Sequence, residues 1–131
     1  MSTKNYIINI DSFARSHYLK KINKKYNKAF DKPWAAFEFM LQKFDIMLET
    51  SRAEAITAEV DGITICKVEF KIAKNESAKS SGNRCIIVRD NNSNEIKILL
   101  IYHKGNICGS NETQWWKQII KDNYPEYRDI L

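Results

Sequence analysis

The sequence predicts an α+β fold: an antiparallel sheet of about four strands with an N-terminal helical hairpin and a C-terminal helix. Three observations carry this expectation. Apolar residues recur at spacings of three and four from Leu19 to Leu48. They recur at a spacing of two between residues 56 and 104, and helical spacing returns from Trp115 to Ile120. A change of period marks a change of element, because a helix repeats its face every 3.6 residues and a strand every two.

Tyr6-Ile7-Ile8-Asn9-Ile10 is rich in β-branched residues and reads as a short first strand. Asp11 or Ser12 can cap a following helix, since either side chain accepts from the unpaired N–H groups of a first turn. Leu19, Ile22, Tyr26 and Phe30 then form an apolar stripe, with lysines at 20, 21, 24, 25 and 28 on the other surface. Asp31-Lys32-Pro33 interrupts this helix and starts another, since Pro is tolerated where the first-turn N–H has no partner. Trp34, Phe37, Leu41, Phe44 and Leu48 make the stripe of the second helix. A short turn between two such helices predicts an antiparallel hairpin.

Asp61-Gly62 is a turn signal between Ile56–Val60 and the long run Ile63–Ala73. In that run Cys66, Val68, Phe70 and Ile72 face one way, and Lys67, Glu69 and Lys71 face the other. A polar loop, Lys74 to Asn83, precedes a strand at Arg84–Arg89. Asp90-Asn91-Asn92-Ser93-Asn94 has turn chemistry. Ile96–Lys104 is apolar on both faces, as expected of a strand with neighbours on each side. A closing helix is expected from about Glu112 to Asn123, stopped before Pro125.

The 131 residues suit a single domain spanning 1–131, because two cores would each lack apolar area at this size. Apolar residues make up 44% and charged ones 28%, which excludes a disordered chain. No apolar run approaches the roughly 20 residues needed to cross a bilayer. Residues 1–11 lack the apolar core of a secretory signal, and three cysteines fit a reducing compartment better than a disulfide framework. A cytoplasmic protein without membrane partners is the expectation.

The net charge of +5 is unevenly placed. Residues 1–32 carry eight Lys/Arg against two Asp/Glu, and residues 67–104 carry eight against four. The intervening segment 33–66 is acidic, with two against six. Two positive stretches fit either a basic face for a polyanion or a lysine surface kept for solubility. Phosphate-binding Gly loops, metalloprotease helices, nucleophile elbows and Cys-x-x-Cys pairs are all absent. Cys66, Cys85, His103 and Cys108 match no zinc-module spacing, so no metal and no small-molecule cofactor are expected.

The cations of 67–104 gather in order. Lys67, Glu69 and Lys71 stand on one strand face, Lys79-Ser80-Ser81-Gly82-Asn83-Arg84 leads into the next strand, and Lys104 ends the one after. Arg binds phosphate oxygens through its planar fork and Lys adds point charge. The same lysines would also protect a sheet edge from pairing with other chains.

Three segments carry a family resemblance: Cys66-Lys67-Val68-Glu69-Phe70, the run Lys79 to Val88, and Leu99-Leu100-Ile101-Tyr102-His103-Lys104. Together they resemble the RelE/ParE superfamily of bacterial toxins, RelE more than ParE. The motif-level similarity covers residues 63–104, and the rest agrees in element order. The resemblance implies a metal-independent endoribonuclease that enters the ribosomal A site, cuts mRNA by 2′-OH attack and is neutralised by a cognate antitoxin. It implies catalytic roles for Lys67, Arg84 and Lys104, with Glu69 as a general-base candidate. Lys71, Lys74, Lys79, Tyr102 and His103 would contact RNA. The chain departs from the pattern in three places. Glu69 stands where some members have lysine, and extra residues around Lys74–Ala78 lengthen the loop. The family's C-terminal tyrosine or histidine acid has only Tyr102, His103 and Tyr127 as stand-ins. The alternatives on the same fold are a ParE-like inhibitor of DNA gyrase that cuts nothing, and an antitoxin-binding module that has lost its chemistry.

Overall fold

The computed structural model describes residues 5–16, 31–70, 82–107 and 111–131. The expected helix through Leu19, Ile22, Tyr26 and Phe30 lies outside these residues, as do Lys71, Lys74, Lys79 and Cys108. The described elements are strand β1 (Ile7–Ile10), helix α1 (Ser12–Ala14), helix α2 (Asp31–Gln42) and helix α3 (Phe44–Met47). They continue with strands β2 (Ala53–Ala55), β3 (Ile63–Phe70), β4 (Asn83–Asp90) and β5 (Glu95–His103), then helix α4 (Glu112–Asn123). Short 3-10 turns cover Lys104–Asn106 and Pro125–Tyr127.

The sheet has five strands in the order β1-β5-β4-β3-β2. It is mixed rather than antiparallel throughout, because β1 pairs with β5 in parallel while the other pairs are antiparallel. A strand reaches a parallel neighbour only through a long crossover, and here most of the chain intervenes between β1 and β5. Strand β5 therefore has neighbours on both sides, as its two apolar faces require. The second expected helix is divided. Lys43, at φ −105° and ψ 42°, separates α2 from α3, yet Phe37, Leu41 and Phe44 all reach the core.

The strand expected at Ile56–Val60 is displaced to Ala53–Ala55, leaving one isolated bridge between Val60 and Ile63. Asp61 and Gly62 both have positive φ (52° and 81°), the geometry of a tight two-residue hairpin turn. Beyond the bridge the ladder breaks. The N–H groups of Ile56 and Thr57 both turn to the Ile65 carbonyl, and the Thr57 hydroxyl accepts from the Ile65 N–H.

Each sheet face is covered. Cys66, Val68, Phe70, Cys85, Ile87, Ile96 and Ile98 pack with Phe37, Leu41, Phe44 and Met47 from α2 and α3. On the opposite face Ile65, Ile86, Val88, Leu99, Leu100 and Tyr102 pack with Trp116, Ile120 and Tyr124 of the C-terminal segment. One tyrosine hydroxyl ties each layer to the sheet. The Tyr124 hydroxyl donates to the Leu99 carbonyl at 2.7 Å, and the Tyr6 hydroxyl donates to Asp45 at 2.7 Å. Among the described residues no helix is long and apolar enough to cross a membrane.

A bulge decides which residues face α4. Ile86 pairs with Leu100 and Ile87 with Ile98, so Leu99 is an extra residue on β5. One extra residue reverses the in–out alternation beyond it. Ile96 and Ile98 face α2, whereas Leu100 and Tyr102 face α4.

Candidate functional site

The register of three strands builds the site. Glu69 on β3 pairs with Arg84 on β4, and Arg84 pairs with Tyr102 on β5. Directly paired residues share a face, so these three side chains form a row across the sheet. Lys67 lies two residues back along β3, opposite Ile86, and therefore on the same face. The row stands where β3 ends, β4 begins and β5 ends, beneath the first turn of α4.

Arg84 is almost fully buried. Its Nη2 lies 3.7 Å from Glu69 Oε1, and its Nη1 donates to the Asn83 carbonyl at 3.1 Å. The other Glu69 oxygen is buried without a hydrogen-bond partner. Lys67 Nζ lies 3.8 Å from Glu112 Oε2, and the Tyr102 hydroxyl donates to that same oxygen at 2.7 Å. The Trp115 ring meets Tyr102 edge-on at 5.1 Å between centroids. Burial, then the bond to Glu112, pushes the Tyr102 phenol far above its ordinary value of 10.0. It therefore stays a proton donor across the physiological range.

The expected residues come together only in part. Lys67, Glu69, Arg84 and Tyr102 share one face. His103 and Lys104 lie at the same end of the sheet, in a different arrangement. His103 pairs with Asn83, its Nδ1 accepts from the Gly105 N–H at 2.9 Å, and its ring packs over Gly82. A Cβ at Gly82, where φ is +80°, would stand 2.7 Å from His103 Nε2, so glycine is required there. Lys104 is exposed in the following turn, and its N–H bonds the Gly82 carbonyl at 2.8 Å.

Two further residues join the site that the sequence pattern reads only as parts of the closing helix, Glu112 and Trp115. An acid opening a helix after an Asn cap reads as an ordinary helix start, and Asn111 does cap Gln114 here. The signal is therefore present but points to helix stability. Cys66 and Cys85 are buried among the α2-facing residues, where burial pushes the Cys66 thiol up to about 12. No three His, Cys, Asp or Glu side chains among the described residues gather to hold a metal ion. An apolar groove of about 280 Å³, lined by Phe39, Met40, Ile46 and Met47 with Lys43 and Arg52 at its rim, contains none of the site residues.

No protein-family model matches the chain, and no curated protein matches it significantly in sequence. Among solved structures it is similar to a chain of the archaeal RelE-RelB complex from Pyrococcus horikoshii OT3. The TM-score is 0.54 at 14% identity, covering 79% of this chain and 99% of the other. At that identity the likeness is one of architecture, and the fold of this protein is RelE-like.

Proposed function

We propose that this chain is a single-domain, cytoplasmic RelE-like toxin that cleaves mRNA in the ribosomal A site and is restrained by a cognate antitoxin. The observation that supports it best is the row Glu69–Arg84–Tyr102 with Lys67 beside it on one sheet face. The RelE-like fold and the pairing of RelE with RelB in the similar structure support a protein partner.

In the proposed reaction the 2′-hydroxyl oxygen of one nucleotide attacks the adjacent phosphorus. The bond from phosphorus to the 5′ oxygen breaks, leaving a 2′,3′-cyclic phosphate and a 5′-hydroxyl. Glu69 takes the 2′-hydroxyl proton. Arg84 and Lys67 neutralise the charge that builds on the phosphorane, the kind of preorganised stabilisation that dominates such barriers. Tyr102, held protonated by burial, gives the leaving oxygen its proton. Lys104 adds charge at the strand end, while Lys71, Lys74, Lys79 and His103 contact the RNA backbone.

A second reading, a ParE-like gyrase inhibitor or an antitoxin-binding module without chemistry, is favoured by one observation. The Arg84 guanidinium is buried and already engaged by Glu69 and the Asn83 carbonyl. Inducible expression in a bacterial host separates the two. Under the first reading expression halts growth, and mapped 5′ ends show new cuts in translated mRNA. Lys67→Met, at a partly exposed position, should keep the circular dichroism spectrum of the parent protein and reduce those cuts at least tenfold. Growth arrest with intact mRNA and broken DNA would favour the second.

A further inference from the structure

We infer that Glu112 is an internal anion holding the place of an RNA phosphate, which an incoming phosphate displaces. This inference rests on the nuclease reading and concerns how that site is kept closed.

One oxygen, Glu112 Oε2, serves two partners from different strands: the Tyr102 hydroxyl at 2.7 Å and Lys67 Nζ at 3.8 Å. A phosphate oxygen would occupy such a position, accepting from a hydroxyl and an ammonium together. The two ion pairs of the site differ in exposure. Arg84 and Glu69 are 7% and 16% exposed in their side chains, whereas Lys67 and Glu112 are 24% and 29% exposed. The first pair is therefore the more enclosed, while the second is more open to solvent, where an ion pair exchanges partners easily.

Charge gives the consequence. Lys67 and Arg84 are matched by Glu69 and Glu112, so these four side chains together carry no net charge. Displacing or neutralising Glu112 leaves one net positive charge and frees both Lys67 and the Tyr102 hydroxyl. Glu112 thus weakens RNA binding while holding Lys67 and Tyr102 in place, and only a ligand with a better anion than a carboxylate opens the site.

The test is fluorescence anisotropy of a labelled, uncleavable 2′-O-methyl RNA 12-mer with the full-length protein across a range of salt concentrations. Glu112→Gln is expected to bind at least fivefold tighter, with a salt slope steeper by about 0.7, the increment for one more phosphate contact on a single strand. Glu112→Asp, which keeps the charge, should stay close to the parent protein. Glu126→Gln, exposed beyond the far end of α4, is the control for net charge. The inference falls if Glu112→Gln binds no tighter, or if Glu126→Gln gains as much. Lys67→Met tells the two readings apart. If it loses affinity while Glu112→Gln gains none, the inference alone is overturned. If it binds RNA like the parent protein, RNA does not use this site, and the nuclease reading fails together with the inference.

Discussion

Arg84 and Glu69 show how one residue pair couples the site to the stability of the fold. Removing one partner of a buried ion pair leaves the other charge without compensation, which costs about 3–5 kcal/mol. Arg84→Ala should therefore destabilise strongly, since Glu69 already has one oxygen buried without a hydrogen bond. Arg84→Ala combined with Glu69→Ala should lose clearly less than the two single changes added, because no lone charge remains. Urea unfolding of the four proteins measures this cycle, and simple additivity would show that the pair is not coupled. The practical consequence is that loss of activity in Arg84→Ala alone is ambiguous. The partly exposed Lys67 is the cleaner probe. Residue type and alternation along the chain suffice to put Lys67 and Glu69 on one face and Arg84 at the start of the adjacent strand. Burial of the arginine was not legible, because a guanidinium near a strand start reads as exposed and its enclosure arises from residues far away in the chain.

Among the elements, α4 closes over the row that the strands build, contributing Glu112 and Trp115. It is held to the sheet by Trp116 and Ile120, both fully buried against Ile86, Leu100 and their neighbours. Trp116→Ala should cost about 3–5 kcal/mol, the range for emptying a buried aromatic position. It should also loosen the first turn of α4 and release Tyr102 from Glu112. Trp116→Phe should cost far less, since the indole N–H is buried without a hydrogen-bond partner and its loss is no penalty. Chemical unfolding compares the two, and equal losses would mean that the ring contributes by more than filling space. The bounds of α4 were legible from Trp115, Ile119, Ile120 and Pro125, because its stripe and stop are local. The bulge at Leu99 was not, because a strand apolar on both faces shows no break in its alternation when one residue is added.

At the scale of the molecule, the described core holds several groups that must stay protonated. Burial raises Cys66 from 9.0 to about 12 and Tyr127 from 10.0 to about 12, and pushes Cys85, Tyr6 and Tyr102 higher still. Each group's folded value lies above its unfolded one, so its contribution is fully present below the unfolded value and is lost as pH rises towards the folded value. The melting temperature should accordingly be flat to about pH 9 and fall from about pH 9 to about pH 11. The thiols have the lowest unfolded values, so Cys66→Ala with Cys85→Ala should flatten the early part of that fall. Thermal melts followed by circular dichroism check this, and a melting temperature constant to about pH 11 would contradict the burial of these groups.

The kinds of element and the faces they present follow from residue order alone. Cys66, Val68 and Phe70 go to one side and Lys67 and Glu69 to the other, because alternation depends only on near neighbours along the chain. The same order places the Asp61-Gly62 turn, where positive φ is a property of the two residues themselves. The parallel pairing of β1 with β5, the turn of Tyr102 towards α4 by the bulge, and the meeting of Glu112 with Lys67 come from the folded arrangement. Those outcomes join residues far apart in the chain, and the packing of both layers against the sheet selects them together.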